Sequence, residues 1–226
     1  EAWNIKIIKK YFCTKGNMGT FLDVGANLGC YSVNLADNFE TVLSFEPAPI
    51  ARRVLEANIL SNCLTNCLVK PVAVGNQNGE ISLHYNPENS GMASVNPLHQ
   101  SENTKYEKVA IVRLDDAIGG LEIKFIKIDV EGAELEVLKG AEKILRTQKP
   151  TLQIELDGNQ DYEGGKVILD FLKTCGYTQF FQRPRHIIDK ILRRMHIQDT
   201  RITELNFQKG VFYQAVWCLH ETQGLK

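Results

Sequence analysis

No run of about 18 apolar residues occurs in this chain, so no membrane-spanning helix is predicted. Charge of one sign is also lacking. The 226 residues carry 26 Lys and Arg against 27 Asp and Glu, a formal net charge of −1. A polyanion-binding protein usually shows a basic surplus, so general nucleic-acid binding is disfavoured. Histidine is scarce, and no second Cys or His pair accompanies Cys63 and Cys67 at the spacing of a zinc site. The six cysteines are scattered, mostly inside apolar patterns, and read as free thiols of a reducing, cytoplasmic setting. No N-terminal stretch reads as a secretory signal. Internal repeats and low-complexity linkers are absent too. What the chain does have is 43% apolar residues, enough to bury one sizeable core, so a single domain over 1–226 is expected.

Periodicity divides the chain into alternating strands and helices. An N-terminal helical extension covers 1–19. Strands are predicted at 20–25, 42–46, 68–75, 125–130 and 151–156, and helices at 28–37, 50–60, 132–145 and 167–175. Two further strands, 177–181 and 211–219, close the chain. Residues 79–85 and 108–114 alternate like half-wet strands, and 86–106 reads as a long loop. Residues 184–209 form a basic amphipathic insertion before the last strand. In it Ile187, Ile188, Ile191, Leu192 and Met195 fall at helical spacing among Arg and Lys. This segment either covers the core or meets a partner or an anionic surface. Short apolar strands alternating with helices imply an α/β, Rossmann-like, doubly wound and mostly parallel sheet. Such sheets bind ligands beyond the carboxyl ends of their strands.

Asp23-Val24-Gly25-Ala26-Asn27-Leu28-Gly29 stands at the first strand-to-helix turn. Gly25 and Gly29 permit positive φ and close approach, and Asn27 tolerates such a backbone better than most residues. Glu46 ends the second strand, where a carboxylate can accept hydrogen bonds from two ribose hydroxyls. A dinucleotide fingerprint needs glycine at 25, 27 and 30, and this chain has Gly25, Asn27 and Cys30. That disfavours a dehydrogenase. S-adenosylmethionine carries a ribose without a pyrophosphate, and Asp23 is placed to serve its ammonium side.

Phe125-Ile126-Lys127-Ile128-Asp129-Val130-Glu131-Gly132-Ala133-Glu134 crowds acids and a lysine at the end of an apolar strand. Burying them unpaired costs several kcal/mol or shifts their pKa values, so they pair, face a cleft or hold a ligand. FLDVGANLGCYS (21–32), FEPAP (45–49), AVGNQNG (73–79), RLDD (113–116) and FIKIDVEGAELEVLKGA (125–141) follow one another in an order that resembles the FkbM-type methyltransferase family. The resemblance covers roughly 20–157. It implies a seven-stranded sheet with the last strand antiparallel. It also implies S-adenosylmethionine as cofactor, S-adenosylhomocysteine as product, and methyl transfer to oxygen, often on a sugar or glycosylated metabolite. Carried over, Asp23, Gly25, Ala26, Asn27 and Gly29 form the cofactor loop, and Glu46 with Pro47 the ribose end. Ala73 and Val74 lie where the third strand approaches adenine, and Asp129 and Glu131 match the acidic strand end that faces the transferred methyl. Asn76 stands where the family often carries aspartate.

Asp129 is the first choice as general base or hydroxyl-orienting group, with Glu131 and Glu155 assisting. The plainer reading is that Glu131 and Glu134 only cap the following helix. Lys127 shares a strand face with Asp129 and is expected to pair with an acid rather than act as a base. Magnesium would suit these carboxylates, but no metal is expected. His84 and His99 flank a loop containing 89–94, which the resemblance places near the acceptor, and His99 reads either as simply solvated or as an acid–base group. Two other functions compete. One is a non-catalytic binding module of a larger protein. The other is a ribose 2′-O RNA methyltransferase, whose usual lysine-aspartate-lysine-glutamate set is not evident.

Overall fold

A computed structural model describes residues 2–15, 19–86, 89–94, 105–159, 161–182 and 203–220. The elements in chain order begin with α1 (Ala2–Lys15), β1 (Thr20–Val24), α2 (Cys30–Leu35), β2 (Thr41–Phe45) and α3 (Pro49–Ser61). Next come β3 (Cys67–Lys70), β4 (Ala73–Val74), β5 (Gly79–Asn86), β6 (Asn89–Ser94) and β7 (Lys105–Val112). Then follow α4 (Leu114–Ala117), β8 (Ile123–Ile128), α5 (Glu134–Gly140), α6 (Glu142–Thr147) and β9 (Thr151–Asp157). The last elements are α7 (Tyr162–Thr174), β10 (Tyr177–Gln182), β11 (Thr203–Glu204) and β12 (Phe212–His220).

The main sheet has the order β11-β10-β12-β9-β8-β1-β2-β3. Strands β3, β2, β1, β8 and β9 run parallel, and β12 runs antiparallel to both β9 and β10. The chain therefore builds outward from β1 to β3, then crosses back to β8 on the other side of β1. The ends of β1, β2 and β8 meet at this switch point, where an open α/β sheet binds ligands. β1 is buried along its whole length, as the apolar run TFLDV requires of a central strand, so a charged residue within it must find its partners inside. One face of the sheet packs on α4 to α7 through residues such as Ile126, Leu138, Ile154 and Leu172. The other carries α1 and α2 over Phe12, Phe21, Phe39 and Phe125. α7 begins at Asp161, whose side chain accepts from Gly164 N at 2.8 Å.

Several expectations change. The main sheet gains an eighth, two-residue strand, β11, formed by the end of the 184–209 segment pairing with β10. The predicted third strand splits into β3 and β4 at Pro71, which has no N–H to donate, and the halves join different sheets. The 86–106 region is not simply a loop, because β6 and the start of β7 fall inside it. A second sheet of order β4-β7-β5-β6 results, packed through Leu83, Val109 and Ile111 on Ala48 and Ala51 around α3's start. The 132–145 helix breaks into α5 and α6 at Ala141, and at the end of α5 a Cβ on Gly140 would collide with the Gly75 carbonyl. Basic residues 183–201 and His99 lie outside the described residues. Among those described, no helix is long and apolar enough to cross a membrane, and Cys30, Cys63, Cys67, Cys175 and Cys218 are free thiols.

Candidate active site

The glycine loop turns through three left-handed residues, Gly25, Asn27 and Gly29, at φ of 73°, 49° and 85°. Two backbone donors, Gly25 N and Ala26 N, share the Phe45 carbonyl, each at 3.1 Å, which ties the loop to the end of β2. Gly25 is glycine because a Cβ there would collide with the Asp129 carbonyl, so the close approach is to β8 rather than to a ligand. Gly29 likewise faces Leu55 of α3. α2 has only six residues, so the loop's own geometry, not a helix dipole, shapes this end of the site.

Glu46 is buried at the end of β2. Its Oε2 accepts from Asn27 N at 2.8 Å and its Oε1 from Ala48 N at 2.7 Å. Each oxygen keeps a further acceptor position. Burial pushes the Glu46 carboxyl upward, and those two N–H donors pull it back. Asn27 Oδ1 is buried without a hydrogen-bond partner.

Lys127 is buried near the end of β8 and ties the strand ends together. Its Nζ donates to the Gly25 carbonyl at 2.7 Å, and lies 3.2 Å from Asp129 Oδ2 and 3.7 Å from Asp23 Oδ1. The ammonium also sits over the Tyr31 ring, 5.5 Å from its centroid. Burial alone would lower the Lys127 pKa, but Asp129 and Asp23 outweigh it and hold the lysine above its ordinary value. Lys127 is therefore a fixed cation and not a base. Asp23 is fully buried beneath the loop. Its Oδ2 accepts from Ser32 Oγ at 2.6 Å and Ser32 N at 3.1 Å. Burial pushes its carboxyl up against the pull of Lys127 and Ser32.

The turn after β8 carries the remaining acids. Glu134 Oε1 accepts from Val130 N at 3.2 Å and Gly132 N at 3.1 Å, so Glu134 holds the turn. Between those donors Glu131 takes a left-handed backbone, φ 54°. Desolvation, then the charges of Asp129 and Glu134, push the Glu131 carboxyl up to about 7. Its side chain still keeps water on one side. Glu155 is half-buried on β9, pushed up to about 8 by burial and then by Asp129, Glu131 and Glu134.

One cleft of about 1000 Å³, its open mouth included, gathers most of the predicted residues. Gly25, Ala26, Asn27, Glu46, Pro47, Ala73, Val74, Asp129 and Glu131 line it. Asp23, Gly29 and Glu155 do not: Asp23 supports the loop from beneath, Gly29 packs on α3, and Glu155 stands on the neighbouring strand. Asn76 is not in the lining either, and its carbonyl accepts from Arg113. His84 is half-buried with its ring edge against Tyr106, 4.8 Å between centroids. Sequence reasoning missed Tyr31, Val72, Leu83 and Val130 as lining residues. Tyr31 had a visible signal, two residues after the last loop glycine. Its hydroxyl accepts from Gln153 Nε2 at 2.8 Å and Asn4 Nδ2 at 3.1 Å, which fixes the ring over Lys127. Among the described residues, no group of three or more His, Cys, Asp or Glu is arranged to hold a metal ion.

The sequence profile of the methyltransferase FkbM domain matches residues 23–178, from the buried acid of β1 into β10. The chain belongs to the FkbM methyltransferase family. Among curated relatives, Methyltransferase 1 of Beauveria bassiana (strain ARSEF 2860) is 24% identical over 186 residues, covering 72% of this chain and 74% of the relative. Methyltransferase sdnD of Sordaria araneosa is 30% identical over 157 residues, covering 54% of this chain and 60% of that protein. In three dimensions the FkbM methyltransferase of Methylobacillus flagellatus KT aligns with a TM-score of 0.58 at 18% identity. That alignment covers 90% of this chain but 44% of the Methylobacillus chain, so this FkbM domain spans under half of that protein. An rRNA methylase of Streptococcus thermophilus, 12% identical, aligns with a TM-score of 0.54 over 96% of this chain and 93% of its own, a likeness of fold alone.

Proposed function

We propose that the cleft binds S-adenosylmethionine and that the protein passes its methyl group to a hydroxyl of a neutral saccharide or glycosylated small molecule. The position of Glu46 carries this reading. It ends β2 beside the glycine loop, and both its oxygens keep acceptor capacity for a ribose after holding Asn27 N and Ala48 N. Val72, Ala73, Val74 and Leu83 offer an apolar wall to an adenine ring. The orphaned Asn27 Oδ1 fits an ammonium donor, since a buried acceptor left unpaired is costly. When bound, S-adenosylmethionine supplies a methyl on a sulfonium, and the S–C electron pair stays on sulfur as S-adenosylhomocysteine forms.

The protein's own part is positioning and proton handling. Asp129 and Glu131 line the cleft where an acceptor would meet the methyl, and Glu155 stands behind them. Lys127 is the single cation among the lining residues and is already held by Asp129 and Asp23. Among the described residues a phosphorylated acceptor would therefore face carboxylates with no cation left to pair it, whereas sugar hydroxyls would find acceptors. Incubation with methyl-labelled S-adenosylmethionine and a panel of neutral glycosides, phosphorylated sugars, amines and RNA tests the reading. Label is expected on oxygens of the neutral glycosides. Label on amines, RNA or phosphorylated sugars, with none on neutral glycosides, would contradict it.

A further inference from the structure

We infer that Glu131, held in its left-handed turn at the cleft mouth, takes the hydroxyl proton of the acceptor, while Asp129 serves as a fixed positioning group. The assignment rests on the cofactor reading above and deepens it. The hydroxyl oxygen bonds to the methyl carbon, the S–C pair remains on sulfur, and the hydroxyl proton moves to a Glu131 carboxylate oxygen. Three observations separate the two acids.

Asp129 is engaged. Its Oδ2 lies 3.2 Å from the Lys127 ammonium, which also donates to the Gly25 carbonyl at 2.7 Å and lies 3.7 Å from Asp23 Oδ1. Asp129 is thus committed to the Lys127 ammonium, and losing that pairing would leave a buried cation undercompensated.

Glu131 is built in and open. Glu134 accepts from the N–H groups on both sides of it and so closes a turn that L residues rarely adopt. Strained backbone kept in place at a cleft is a feature of functional sites. The side chain is exposed, so a captured proton passes on to water.

The surroundings tune it. Among the described residues, Asp129, Glu134, Asp157 and Glu155 present negative charge to it and Lys127 positive charge. They leave Glu131 at about 7, where it both accepts and releases protons near neutral pH.

The test uses binding, with S-adenosylmethionine and S-adenosylhomocysteine as probes, in calorimetry repeated across buffers of different ionisation heat. A sulfonium cation beside a half-protonated Glu131 drives its proton off. The wild-type protein at pH 7 is expected to release up to about half a proton on binding S-adenosylmethionine, and less with the neutral thioether. Glu131→Gln is expected to remove most of that release and to weaken S-adenosylmethionine binding severalfold, with S-adenosylhomocysteine binding changed less. Glu131→Gly, which suits the turn, provides a second folded variant with the same loss. Asp129→Asn is expected to move the release to lower pH without abolishing it, because one of the charges raising Glu131 is gone. Release unchanged in Glu131→Gln, or abolished by Asp129→Asn, would overturn the assignment. No binding of either probe to folded protein would instead overturn the cofactor reading, and this assignment with it.

Discussion

Lys127 is the residue on which the site's electrostatics turn. Its charge is shared among Asp23, Asp129 and the Gly25 carbonyl in a setting nearly closed to water. Removing one member of a buried ion pair leaves the other uncompensated, at a cost of roughly 3–5 kcal/mol. Lys127→Met is accordingly expected to lose about that much in urea denaturation, with Asp23→Asn in the same chain recovering part of it. A loss under ~1 kcal/mol would mean that the ammonium is not the centre described here. Glu131 and Glu155 give a second, pH-dependent expectation. Their folded pKa values, about 7 and about 8, stand above the ordinary 4.5 of the unfolded chain. Between those limits the folded state binds more protons than the unfolded one, so stability falls as pH rises from about 5 to about 8. Thermal midpoints across that range are expected to decline, and Glu155→Gln to flatten the decline. A flat or rising wild-type profile would contradict the burial of these acids. At this scale Glu46, Asp129 and the loop glycines were legible, because each stands where an apolar strand ends. Tyr31 was not singled out, although it stands two residues after the last loop glycine, since an aromatic inside a short helix reads equally well as core.

Elements were legible where local pattern decides them and obscure where distant contacts do. β1, β2, β8 and β9 are short apolar runs, and α3 is announced by Pro49 at its start. β6, in contrast, has the polar sequence NSGMAS with no alternation to read, and only pairing with β5 makes it a strand. At the end of α5 the Gly75 carbonyl, far away in sequence, leaves no room for a Cβ on Gly140. Gly140→Ala is therefore expected to cost roughly 1–3 kcal/mol, because backbone cannot yield as a side chain would. At the exposed Gly119, with open space around it, alanine meets no such clash and only its left-handed backbone opposes it. Comparing the two variants by chemical denaturation separates crowding from conformational strain. An equal loss in both would show that the contact with Gly75 plays no part.

At the scale of the whole molecule, the order of the strands makes the site. Crossing from β3 back to β8 leaves the ends of β1, β2 and β8 side by side, so Glu46, the glycine loop and Asp129 converge although they are far apart in sequence. That convergence followed from the alternation of strands and helices, and the FkbM resemblance correctly anticipated the antiparallel last strand. Of the second sheet, β5 and β7 were read from their alternation as part of an extra hairpin region, whereas β4 and β6 escaped notice because their pairings are long-range and β6 is polar. The central claim is that this cleft binds S-adenosylmethionine through Glu46. The most direct measurement is calorimetric titration of the protein with S-adenosylhomocysteine, beside Glu46→Gln and Glu46→Ala variants shown to be folded by circular dichroism. Micromolar binding is expected, weakened about tenfold or more in both variants, since each loses a charged acceptor for the ribose. No binding by the folded wild-type protein, or equal affinity in all three, would contradict the account.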